Sequence, residues 1–110
     1  MGVISVGTGA QLSVINTEHN LITNTTIGIF VLTIDVSAMV LGDSVEIRLK
    51  TTCRPGDPEK VAYLETLTDV QQDQNWHSIP IPLASSDSIS CTLRQITGSP
   101  RTFPWNLRRM

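Results

Sequence analysis

Large rings are scarce in this chain, whose 110 residues hold two Phe, one Tyr and two Trp. Its core must therefore be aliphatic, because each missing ring forgoes roughly 150–250 Å² of burial, and neighbouring subunits are expected to supply part of the stability. Cysteine is as sparse. Cys53 and Cys91 are too few for a disulfide framework and lack metal-ligand spacing, so both are expected to be free thiols, Cys91 inside a strand and Cys53 at a strand end, folded in a reducing compartment. The longest apolar stretch, 27–41, is interrupted by Thr33, Asp35 and Ser37, well short of the roughly 20 residues a membrane helix needs. There is also no charged and then apolar leader. The expectation is a soluble single domain with no membrane partner.

Motifs of reactive chemistry are missing as well. His19 and His77 have no other ligand-type residue at metal spacing, and no Gly-x-Ser-x-Gly elbow occurs. Gly7-Thr8-Gly9 lacks both a further glycine and a GKS/GKT ending, so it predicts a flexible turn rather than a phosphate loop. No enzyme activity, metal or cofactor is expected.

The formal net charge of −2 gives no electrostatic footprint for nucleic acid. Its distribution is uneven. Residues 1–47 carry Glu18, Asp35, Asp43 and Glu46 with no Lys or Arg, whereas 94–110 carry Arg94, Arg101, Arg108 and Arg109 with no acid. This asymmetry either joins one subunit's start to another's end or makes two differently charged surfaces. The mixed Arg and aromatic run 101–109 reads better as a last strand with buried rings and a basic tail than as a single-strand nucleic-acid platform.

What the chain does contain is period-two patterning. From Val45 to Lys50, apolar and charged residues alternate without a fault, which predicts a half-buried strand with Val45, Ile47 and Leu49 inward and Glu46, Arg48 and Lys50 facing water or a partner. Gln11–Asn16 and His19–Thr25 predict a hairpin. Gly28–Asp35 predicts a central strand covered on both faces, and 35–41 offers the only helical turn, with Val36, Met39 and Val40 on one face. Residues 53–59 predict a turn and 61–66 an antiparallel return strand. Pro80 and Pro82 mark an edge, 88–97 alternates with Ile89, Cys91 and Leu93 inward, and Phe103, Trp105 and Leu107 share one face of a terminal strand. The sum is an all-β chain of seven to eight strands, expected to form a two-sheet antiparallel β-sandwich with jelly-roll or Greek-key connections. Residues 1–27 form an N-terminal arm or edge strands, and 28–110 the sandwich of a single domain.

The order of Ile34-Asp35-Val36-Ser37-Ala38-Met39, Gly42-Asp43-Ser44-Val45-Glu46-Ile47-Arg48, Val61-Ala62-Tyr63, Leu93-Arg94-Gln95-Ile96-Thr97-Gly98 and Arg101-Thr102-Phe103-Pro104-Trp105 resembles small structural virion proteins of tailed bacteriophages. The resemblance spans roughly residues 28–107. It implies a capsid cement or decoration protein on the capsid exterior, made in the bacterial host cytoplasm, that clamps major capsid protein subunits and is itself a homo-oligomer, dimer or trimer. It carries no catalytic residues. Arg101, Arg108, Arg109, Gly7 and Gly9 are the subunit-contact candidates. The alternatives are a neck or tail structural protein and a carbohydrate-binding sandwich for host adsorption, with Trp76 beside His77 as the sugar platform. Pro104, inside the last strand, departs from the pattern, because a proline supplies no ladder donor.

Overall fold

Val45, Ile47 and Leu49 are fully buried while Glu46, Arg48 and Lys50 remain partly exposed, so the alternation at 44–51 is a strand with one face in a core. The same logic repeats along the chain. The computed structural model describes residues 3–110. Among them the strands are β1 (Ile4–Leu12), β2 (His19–Asn24), β3 (Gly28–Asp35), β4 (Ser44–Thr51), β5 (Lys60–Thr68), β6 (Asn75–His77), β7 (Ile81–Leu83), β8 (Ile89–Thr97) and β9 (Thr102–Arg109).

These strands form two antiparallel sheets. The first has the order β1-β9-β3-β6, with β7 also on β3, and the second has the order β2-β8-β4-β5. The fold is therefore a two-sheet β-sandwich. Taking β6 and β7 as one interrupted strand, β1 pairs with β9, β2 with β8, β3 with β6 and β7, and β4 with β5. A long antiparallel ribbon rolled up so that successive pairs fall in alternate sheets gives this order, which is the jelly roll. Phe30, Leu32 and Ile34 of β3, Phe103 and Leu107 of β9, Val45, Ile47 and Leu49 of β4, and Ile89, Cys91 and Leu93 of β8 fill the space between the sheets. Among the described residues only two of the side chains buried completely are rings, Phe30 and Phe103, and the rest of this core is mainly aliphatic.

Several expectations need correction. β1 and β2 do not form a hairpin: β1 pairs with β9 and β2 with β8, in different sheets. The connection between them crosses the sandwich because Ser13 and Asn16 are held by Gln95, where the Asn16 N–H donates to the Gln95 carbonyl at 2.7 Å. Residues 36–43 make two successive turns and no helix, closed by Met39 N–H to Val36 O and Asp43 N–H to Val40 O, both at 3.1 Å. β3 is central, but its outer face is covered only in part: Thr33 is buried there, while Ile29 is 42% exposed. Gly7-Thr8-Gly9 lies within β1 rather than in a turn. Among the described residues the strand number is nine because Pro80 splits the edge into β6 and β7. Cys53 sits in the loop after β4, not at its end. Of the N-terminal segment 1–27, residues 1 and 2 lie outside the described residues, and 4–12 and 19–24 form edge strands, one in each sheet.

Pro104 proves compatible with a central strand. The ladder between β9 and β3 ends at Trp105, so Pro104 lies beyond it and is paired only with Ala10 of β1.

Candidate functional site

The C-terminal arginines differ in what they touch. Arg101 points into the end of the sandwich, where its Nε donates to Asp43 Oδ2 at 3.0 Å, and the Asp43 side chain is only 1% exposed. Arg108 is exposed on the outer face of the first sheet, opposite Val31 and Ser5. Arg109 lies over Gly28, where its Cγ and Cδ approach to 2.7 Å of the position a Cβ would take. Among the described residues neither Arg108 nor Arg109 has a carboxylate within 4.0 Å. The uneven charge of the sequence is thus partly resolved inside the molecule, since Asp43 pairs with Arg101 and Glu46 with Arg94 at 2.7 Å. The start of the chain joins its own end through β1 and β9.

Gly7 and Gly9 face inward, opposite Leu107 and Trp105. A Cβ on Gly7 would collide with the Ile22 side chain, and one on Gly9 would lie 3.0 Å from the Trp105 ring. Their small size serves packing against the core, and they reach another subunit only through their backbone on the free side of β1.

Asp43 and Gln95 were not singled out by sequence, yet they organise this end of the molecule. Gln95 is fully buried and satisfied on both sides: its carbonyl oxygen accepts from the Ser13 hydroxyl, and its amide donates to Thr97 O at 3.1 Å and Ser99 O at 2.8 Å. The Arg101 N–H donates to Ser13 Oγ at 2.8 Å. Asp43 also accepts the Val40 N–H at 3.0 Å, and Asp69 accepts the Gly42 N–H at 2.8 Å. Every buried side-chain polar atom among the described residues is paired, as a rigid end plug requires. Gln95 had one legible signal: it continues the inward parity of Ile89, Cys91 and Leu93.

The outer face of the second sheet carries a charged ladder. Glu46 and Arg94 are directly opposite on β4 and β8, and Arg48 bonds Glu46 at 3.2 Å. Glu18, from the crossing loop, receives Lys50 Nζ at 2.8 Å and the Thr92 hydroxyl at 2.6 Å. Beside it Glu59 accepts from Ser88 at 2.7 Å and Ser90 at 2.8 Å. Glu18, Asn20, Lys50, Glu59, Ser90 and Thr92 line a groove of about 290 Å³.

Hydrogen bonds from Lys50 first, and then Thr92, hold the Glu18 carboxyl below its ordinary value of 4.5. A folded carboxyl that protonates less readily than the unfolded one contributes stability that is complete above about 4.5 and is lost as pH falls through the lower folded value. Glu18→Gln is therefore expected to reduce the difference in melting temperature between about pH 7 and about pH 3, with thermal melts at the two pH values as the check.

Trp76, with Gln72, Asp73, Gln74, Asn75 and His77, borders an open groove, and only part of its ring is exposed. It is half-buried against the core and stacks on Tyr63 with centroids 6.4 Å apart and planes at 21°, closing the side of the sandwich between β6 and β5. His77 shares a hydrogen bond with Thr33 at 3.0 Å, and His19 Nε2 accepts the Val14 N–H at 3.0 Å. Both cysteines are free. Burial, with the Glu59 carboxylate adding to it, pushes the Cys91 thiol up to about 12, so it behaves as an inert core residue. No group of three or more His, Cys, Asp or Glu among the described residues is placed to hold a metal ion. No helix of the described residues is long and apolar enough to cross a membrane.

No protein-family model, curated protein or solved structure matches this chain.

Proposed function

We propose that this chain is a structural protein of a tailed-phage virion, a cement or decoration protein on the capsid exterior that bridges major capsid protein subunits as a dimer or trimer. The observation that carries this reading is the rolled strand order β1-β9-β3-β6 and β2-β8-β4-β5, assembled from the same ordered segments on which the family resemblance rests. Jelly rolls occur among viral capsid domains and also among lectins, so the order alone does not choose between them. Trp76 favours the first, because its ring is half-buried, stacked on Tyr63 and packed on the core rather than standing free as a sugar platform. Arg108 and Arg109, without carboxylate partners among the described residues, are groups a neighbouring acidic surface would engage.

The test is the composition and map of purified particles. The expected result is this chain at a copy number commensurate with the capsid lattice, with density on the outer surface between major capsid subunits. A single ring at the neck or tail would replace the cement reading by the alternative structural role. Absence from particles would overturn both.

A further inference from the structure

The described residues form four sheet edges, β1 and β6 with β7 in the first sheet, and β2 and β5 in the second. Three of them carry features that block strand addition. β6 and β7 are three residues each, are separated by Pro80 and contain Pro82. β2 is six residues long with an irregularity between Asn20 and Ile22. β5 carries Lys60 and Glu65, and its register with β4 shifts at Leu49/Lys50. β1 differs from all of these. Its single irregularity lies between Ser5 and Gly7, which leaves Gly7–Leu12 in regular register, and the strand has no proline and no charge.

We propose that the free edge of β1 pairs antiparallel with β1 of a second copy of this chain, centred on Gly9, so that the first sheet continues across a two-fold axis. Opposed residues in an antiparallel pair share a face, so a two-fold axis places Gly9 against itself, Thr8 against the second copy's Ala10, and Gly7 against the second copy's Gln11. All of these are neutral, and those on the outer face are small, so self-pairing opposes no like charges and crowds no large side chains. The ends of the strand match as well. Val3 and Ile4 are 59% and 47% exposed at one end, and Leu12 and Val14 are 57% and 54% exposed at the other. The two-fold axis puts the first pair of one copy at the end of the ladder that holds the second pair of the other. Arg108 pairs with Ser5 at one end of β1, so the two copies of Arg108 fall at opposite ends of the new ladder. A strand with no charge offers a charged peptide nothing specific, whereas it complements itself.

This interface stands on the sheet edge and not on the virion reading, and it is measured on the isolated protein, so either can fail without the other. Sedimentation equilibrium up to about 100 μM is expected to give twice the 12.1 kDa chain mass. The double variant Thr8→Lys/Ala10→Lys sets ammonium groups opposite one another across the axis and is expected to sediment as a monomer with an unchanged circular dichroism spectrum. If that variant fails to fold, Thr8→Cys/Ala10→Cys in a Cys53→Ser background is expected to give a covalent dimer on mild oxidation, since opposed Cα atoms in such a ladder lie within about 5.5 Å. A wild-type monomer throughout, a trimer or open polymer, a lysine variant that remains dimeric, or cysteines that do not link the two chains would each overturn the proposal.

Discussion

Arg101→Ala is expected to lower the free energy of unfolding by about 3 kcal/mol, the low end of the cost of stranding a buried charge. Asp43 is 1% exposed at the side chain and keeps only the Val40 N–H once the guanidinium is gone, while Arg101 itself is 28% exposed, so some water enters and the effect stays below that of a fully enclosed pair. Urea unfolding is the measurement, with the midpoint falling and the slope unchanged. Arg108→Ala, at an exposed position with no carboxylate partner among the described residues, is expected to stay within about 0.5 kcal/mol of the wild type. Similar losses in both variants would show that Asp43 is not held by Arg101.

Gly98→Ala is expected to cost about 3–4 kcal/mol, for two reasons that add. The residue has φ +100, which an L side chain rarely adopts, and an added Cβ would strike the Asp43 carboxylate, lying 2.8 Å from its Cγ and 3.1 Å from Gln95 Nε2. Something in the end plug must move, and Asp43 is the nearest group. The penalty is therefore expected to shrink by about 1 kcal/mol or more when Gly98→Ala is made in the Arg101→Ala background, because both changes spoil the same carboxylate. Strict additivity in that double-mutant cycle would count against the shared plug.

The fold class was legible because period two is local. Val45, Ile47 and Leu49, or Ile89, Cys91 and Leu93, declare their inward face without reference to the rest of the chain. Partners were less legible. The β-prone runs at 11–16 and 19–25 look like a hairpin because nothing nearby reveals that Ser13 is bonded to Gln95, 82 positions away. The covered outer face expected for β3 failed at Ile29 for a related reason: alternation reports which side chains are apolar, not what lies over them. Arg101 was picked for its charge as a contact for another subunit and is engaged at home, since nothing local singles out Asp43 from the other acids of residues 1–47 as its partner. Arg108 and Arg109 kept their place as candidates. The glycines of β1 were noticed for flexibility, and their use is room for Ile22 and the Trp105 ring.

β9 is the last strand in chain order, yet it lies between β1 and β3, in the middle of its sheet. During synthesis β1 therefore waits without a neighbour until β9 has left the ribosome, while β4 and β5 can zip together long before. The first sheet is therefore completed late, and a nascent chain stalled before β9 leaves β1 without a partner and one edge of β3 open to whatever else is being made nearby.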